Sequence, residues 1–213
     1  MPKPNDASQD KRFRLIGLTG PIGAGKDEVA RILSKHGAYI ISADSVAHQL
    51  YASQSPVWHA LVKTFGSKIL MRGGKVNRKK LGGIVFSDKK KLAALNQIIH
   101  PALKEAIKQI IIDIIEKPQP RENKPAPQLI AINAAVLKEI GLVDLVDEVW
   151  VVLATKETRL KRLVKKGLPK SEAEKRVRAQ AGIKDYLQLA DIVIKNDGTR
   201  KQLNAEIQAH LQI

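Results

Sequence analysis

The sequence predicts an α/β fold, a parallel sheet covered by helices on both faces. Three observations lead there. Five short apolar runs lack the polar–apolar alternation of a half-exposed strand, as strands buried on both sides do. Longer stretches with helical spacing separate them, the order expected of strand–helix–strand units. Between the first run and the first helical stretch lies a glycine-rich segment of the form G-x-x-x-x-G-K.

Taken in order, residues 1–12 are polar and proline-containing and read as a disordered tail, and 13–213 as a single domain. Residues 13–18 (FRLIGL) form the first strand and 27–36 the first helix, with Val29, Ala30, Ile32 and Leu33 at helical spacing. A second strand, 38–41, is followed by helices over 43–52 and 55–65. Gly73-Gly74 marks a turn, and 77–117 is almost wholly helical, with Pro101 expected at the first turn of a long helix 101–116. Residues 117–128 hold four of the ten prolines and read as an extended surface loop. Strands at 129–132 and 148–153 follow. A helical stretch, 156–178, is broken by Gly-Leu-Pro at 167–169, and strand 191–194 and helix 199–213 close the chain.

At 213 residues the chain is long enough to bury a real core. No apolar run approaches the ~18 residues of a membrane span, and no N-terminal segment resembles a signal peptide. Cysteine is absent, which excludes disulfides and thiolate metal sites and fits a cytoplasmic protein. Net charge is +16, and two windows, 72–91 and 156–178, together hold +14 of it. Such clusters call for anionic partners, either nucleic acid or phosphorylated metabolites. An aromatic content of 4% and the lack of any recognisable nucleic-acid motif argue against the first.

The loop Gly20-Pro21-Ile22-Gly23-Ala24-Gly25-Lys26 is the strongest signal. Its glycines let consecutive N–H groups converge, the helix N-terminus adds partial positive charge, and Lys26 reaches the β/γ-phosphates. The expected nucleotide-binding set is therefore Gly20, Ile22, Gly23, Ala24, Gly25, Lys26, Asp27 and Glu28. The motif asks for Ser or Thr after the lysine to ligate Mg²⁺, and here Asp27 takes that place as the candidate metal ligand. Asp44, just past a strand end, has two readings from spacing alone, a catalytic base or an N-cap, a role Ser42 also suits.

Residues 17–26 (GLTGPIGAGK) resemble the opening of the dephospho-CoA kinase family. The resemblance continues in order through 40–50 (IISADSVAHQL), 74–86 (GKVNRKKLGGIVF), His100-Pro101, 134–137 (AAVL), Arg176 to Gln180 and 190–198 (ADIVIKNDG), covering about residues 13–200. It implies a P-loop kinase core with a helical acceptor-binding region at about 53–116 and a lid at about 156–180. The implied reaction is phosphoryl transfer from ATP, with Mg²⁺, to the ribose 3′-hydroxyl of dephospho-CoA, the last step of coenzyme A synthesis. The alternatives are a kinase of another small nucleotide or metabolite, and a nucleotide-binding protein with weakened catalysis that contacts nucleic acid. A monomer or weak homo-oligomer is expected.

By resemblance, Lys26, Asp44 and Arg162 are catalytic, and Arg162 and Arg176 clamp the nucleotide from the lid. Asp44, His48, Arg78, His100 and Ala134 contact the acceptor. For Arg162, Arg176 and Arg178 the competing reading is a solvated helix face, and for His100 a turn residue. Gln180 either supports the lid or caps it. Trp58 and Trp150 read as core or interface residues. The chain departs from the family pattern at four places. Asp27 replaces Ser/Thr, Asn133 stands where an acid is usual, Ser42 replaces the first acid of D-A-D, and Tyr186 stands where a basic residue is common. The acid gained at Asp27 and lost at Asn133 are expected to compensate.

Overall fold

The computed structural model describes residues 13–116, 128–180 and 182–211. The expected tail over 1–12 and all but Gln128 of the proline-rich loop lie outside the described residues.

Five strands build one sheet in the order β2-β3-β1-β4-β5, every pair parallel: β1 Arg14–Thr19, β2 Tyr39–Ser42, β3 Leu129–Asn133, β4 Glu148–Leu153 and β5 Ile192–Lys195. The strands lack alternation because both faces are covered. In β4, Val149 and Val151 face one apolar cluster, Trp150 and Val152 the other, and all four are fully buried. On one side the sheet packs α1 (Lys26–Lys35) and α9 (Arg200–Leu211) through Val29, Ile32, Leu33, Leu203 and Ile207. On the other side α2 (Ala43–Leu50), α3 (Pro56–Phe65), α4 (Arg78–Val85) and α5 (Lys89–Glu116) enclose the larger cluster. The remaining helices are α6 (Lys156–Lys165), α7 (Lys170–Ala179) and α8 (Ile183–Leu187).

Two local outcomes differ from expectation and one matches it. Pro101 does not begin a helix; α5 runs unbroken from Lys89 to Glu116, about 42 Å at 1.5 Å per residue. Proline removes one N–H and crowds the carbonyl four residues back, that of Gln97. Both residues are exposed, so water can satisfy that carbonyl, while Ile99, Leu103 and Ile107 hold the inner face in place. The short α8 carries no sequence signal of its own, and its Tyr186 is buried in the larger cluster. The break at Gly167 and Pro169 does separate α6 from α7.

Register levels the site. Leu18 and Ser42 both pair with Asn133, so β1, β3 and β2 end at one height, and their carboxyl ends open onto the glycine-rich loop and onto α2.

Candidate active site

The loop between β1 and α1 closes where only glycine fits. Gly20 has φ of 142°, and a Cβ there would lie 2.2 Å from the Val152 carbonyl oxygen. Gly25, the N-cap of α1 with φ of 102°, would put a Cβ 2.1 Å from Asn196 Nδ2. The loop is thus pressed against β4 on one flank and the end of β5 on the other.

Its carbonyls are held from behind. The buried Asn196 donates from Nδ2 to Ala24 O at 2.8 Å. Arg162 on α6 donates from Nη1 to Ala24 O at 3.0 Å and from Nη2 to Asn196 O at 2.8 Å. Asp197 accepts from the Thr155 N–H at 2.9 Å, locking the β5 exit to the start of α6. Burial alone would raise that carboxyl's pKa, but the Thr155 and Thr158 hydrogen bonds bring it below its ordinary value. Ile22 is gripped on both sides of its backbone. Its N–H donates to Gln180 Oε1 at 2.6 Å, and its carbonyl accepts from Arg159 Nε at 2.8 Å.

Lys26 Nζ donates to Gly20 O at 2.8 Å, so its ammonium lies across the mouth of its own loop. Burial lowers its pKa, opposed by the nearby carboxylates of Asp27 and Asp44 and reinforced by Arg159 and Lys166. Both expected acids therefore sit within electrostatic reach of the phosphate-binding amine.

Asp27 is exposed and accepts from Asn133 Nδ2 at 3.0 Å, while its Oδ2 lies 3.8 Å from Lys166 Nζ. The two departures from the motif thus meet in one hydrogen bond. The donor set fits Mg²⁺, which takes one or two carboxylates and completes its shell with water and phosphate oxygens. No group of three or more His, Asp or Glu side chains among the described residues forms a site that would bind a metal without such phosphates.

The two readings of Asp44 separate here. Ser42 caps α2, its Oγ accepting from the Ser45 N–H at 3.3 Å, so Asp44 is not needed as the cap and stands exposed in the first turn. From it a cavity of about 240 Å³ runs between α2 and α4, walled by His48, Tyr51, Arg78 and Phe86. It adjoins a larger cleft of about 860 Å³ that shares His48, Tyr51 and Arg78 and extends to Met71, Lys75 and Lys79. Trp58 shapes this cleft indirectly. Its Nε1 donates to Gly74 O at 2.7 Å and pins the Met71–Lys75 turn. Burial raises the Tyr51 pKa, with Arg78 pulling the other way.

Several expected residues have other engagements. The Glu28 carboxylate pairs with Arg31 and Arg200, and its N–H donates to Gly25 O, so its side chain joins α1 to α9. Ala134 is buried, with its N–H donating to Leu18 O at 3.0 Å, which makes it a strut between β1 and β3. His100 is half-buried on α5 and is not a wall of either cavity. Arg176 and Arg178, expected in a lid, are exposed and paired with Glu172 and Glu174 on their own helix rather than with the loop. Arg162 reaches the loop, but through its carbonyls.

Sequence reasoning missed Tyr51, Phe86, Arg159 and the role of Asn196. Phe86 is 79% exposed at the end of α4, a large apolar side chain left in solvent beside a cavity. Arg159 was legible through Leu163, because positions 159, 162, 163 and 166 share one helix face and that face has an apolar member.

The comparisons with known proteins agree with this geometry. The family model for dephospho-CoA kinase matches residues 14–202. A dephospho-CoA kinase of Carboxydothermus hydrogenoformans is 37% identical over 93% of this chain and 93% of its own length. One of Streptomyces avermitilis is 40% identical over 90% and 89%. Among solved structures, the dephospho-CoA kinase of Campylobacter jejuni superposes with a TM-score of 0.65 at 25% identity, covering 93% of this chain and 95% of that one.

Proposed function

The chain belongs to the dephospho-CoA kinase family, and we propose how its own residues carry the reaction. It transfers a phosphoryl group from ATP to dephospho-CoA, closing coenzyme A biosynthesis. The observation that carries the assignment of roles is the place of Asp44. It lines the acceptor cavity while its charge acts on Lys26, so it stands between the two substrates.

Phosphoryl transfer asks the protein mainly for position and charge. The free N–H groups at the start of α1 receive the β- and γ-phosphates, and Lys26 leaves Gly20 O for their oxygens. Asp44 accepts the proton of the acceptor hydroxyl as that oxygen attacks the γ-phosphorus in line with the departing ADP. Arg78, Lys75 and Lys79 face the acceptor's diphosphate as cations with His48 beside them as a hydrogen-bonding group, and Phe86 and Tyr51 supply apolar surface for its base or its pantetheine arm. Arg176 reaches the transferred group only after the lid closes and its pair with Glu172 opens.

Asp27 would hold the magnesium ion, oriented by Asn133, and the ion would supply neutralisation of the nucleotide's phosphate charge. The Asp27–Asn133 contact favours compensation over loss of activity, because the acid has moved across one hydrogen bond and remains at the same spot.

The test is ADP release with ATP and Mg²⁺ in the presence of dephospho-CoA, AMP, CMP or a pantothenate-type acceptor. Release that depends on dephospho-CoA is expected. Tight ATP binding with no turnover on any acceptor would overturn the assignment in favour of a nucleotide-binding protein without kinase chemistry.

A further inference from the structure

One buried charge has no task in the scheme above. Arg159 is 5% exposed on α6, at the back of the phosphate loop. A guanidinium taken out of water costs several kcal/mol unless a carboxylate and hydrogen bonds compensate it. The hydrogen bonds are there, to Ile22 O and, at 3.3 Å, to Gln180 Oε1. The carboxylate is not. Among the described residues no acid lies within ion-pairing distance of Arg159, and the acids of its own helix and of the next are engaged with other cations, Glu157 with Lys161, Glu172 with Arg176 and Glu174 with Arg178.

The surroundings add further positive charge. Arg159 repels the Lys26 ammonium, and its aromatic neighbour Tyr186 is a phenol that burial keeps neutral. The loop rests directly on it, since a Cβ at Gly23 would lie 2.9 Å from Arg159 O and 3.2 Å from Arg159 Cβ. Two desolvated cations lie beside an anion-binding loop, and among the described residues one of them has no acid to pair with, which leaves a charge for an outside anion to balance.

We propose that Arg159 is a positioning residue of the phosphate site, a buried cation whose counter-ion is the polyphosphate of the bound nucleotide. Through Ile22 and Gln180 it also ties that loop to the end of the lid helix. The proposal rests on the nucleotide-binding reading of the loop. It separates Arg159 from a mere brace, because a brace needs a donor for Ile22 O and no charge. Arg159→Gln keeps a donor and loses the charge; Arg159→Lys keeps the charge and loses the fork.

The experiment measures thermal unfolding of the full chain with and without ATP and Mg²⁺, and ATP affinity by calorimetry, for wild type and both variants. The wild type is expected to gain stability on ATP. Without nucleotide, Arg159→Gln should melt at or above the wild-type temperature, since an uncompensated charge has gone. Its ATP affinity should fall roughly 10- to 100-fold, the range for hydrogen-bonded charge contacts, and its ATP-induced shift should shrink to match. Arg159→Lys should stay within about threefold of wild type for ATP. Wild-type ATP affinity in Arg159→Gln overturns the proposal. So does a glutamine variant that unfolds, or that melts several degrees lower while keeping its ATP-induced shift, for either makes Arg159 a structural brace. A wild type that does not respond to ATP overturns the nucleotide reading itself, and this inference with it.

Discussion

The phosphate loop and the acceptor cleft meet at Asp44 and are built on opposite plans. Around the loop almost every side chain is committed. Asn196 and Arg162 hold its carbonyls, Gln180 and Arg159 hold Ile22, and β4 and β5 press on Gly20 and Gly25. In the cleft Asp44, His48, Lys75, Arg78 and Phe86 are exposed, and the lid arginines pair only along their own helix. The donor phosphates are compact and always the same, so fixed N–H groups and dipoles stabilise them with no reorganisation at the moment of reaction. The acceptor is long and flexible, and must enter and leave, so its side chains order only when it is bound. In the proposed scheme the rigid half sets the geometry and the open half sets the choice of substrate.

Variants of the loop lysine and of the acid where the two regions meet should cost most. Lys26→Met is expected to lower kcat about a thousandfold, since it removes a buried side-chain cation at the mouth of the phosphate loop. Steady-state kinetics at saturating dephospho-CoA checks it. Asp44→Asn should lower kcat by about 10²–10⁴ while ATP affinity by calorimetry stays as in wild type. A parallel loss of ATP affinity would place Asp44 in the donor half instead.

Gly25→Ala should destabilise the protein by about 2–4 kcal/mol in denaturant titrations, through its left-handed backbone and the clash with Asn196. The metal corner tests whether the two halves share a boundary. Asp27→Ser and Asn133→Asp should each weaken the Mg²⁺ dependence of ATP binding, and the double variant should recover part of it, with a coupling of about 1–2 kcal/mol. Strict additivity would mean that their hydrogen bond has no bearing on the metal.

The smallest effects belong to pH and to the lid. Burial gives Lys26 a pKa below its ordinary value, so the folded apo protein binds fewer protons than the unfolded chain in the alkaline range. This group therefore lowers apo stability while it is charged, and the cost fades as pH rises through the lowered pKa toward 10.5. Bound phosphates restore the charged form. Calorimetry at alkaline pH just below 10.5, in buffers of different ionisation enthalpy, should therefore show proton uptake on ATP binding that is lost in Lys26→Met. Glu172→Ala should change stability by less than about 0.5 kcal/mol, as an exposed pair at this helical spacing contributes little.

The sheet was legible because burial on both faces leaves uninterrupted apolar runs, and all five predicted strands form. The loop was legible because its chemistry is local: glycines, a helix start and one lysine, contiguous in the chain. Helix ends were less so. Pro101 looks like a beginning in isolation, yet the inner face of α5 carries the helix through it. The engagements of Glu28 and Ala134 were hidden for a similar reason. Each lies beside phosphate-binding sequence, but Arg200 and the Leu18 carbonyl, both remote in the chain, claim them first.

The sequence by itself determined the order of strands and helices, the phosphate loop, the break at Gly167 and the anionic nature of the ligands. These follow from periodicity, backbone freedom and charge, which act over a few residues. Only the tertiary structure decided that Ser42 caps α2 and leaves Asp44 available, that Asp27 meets Asn133, and that Arg159 is buried with no acid beside it among the described residues. Those outcomes depend on which distant groups arrive at the same point, and on how much water remains there once they have.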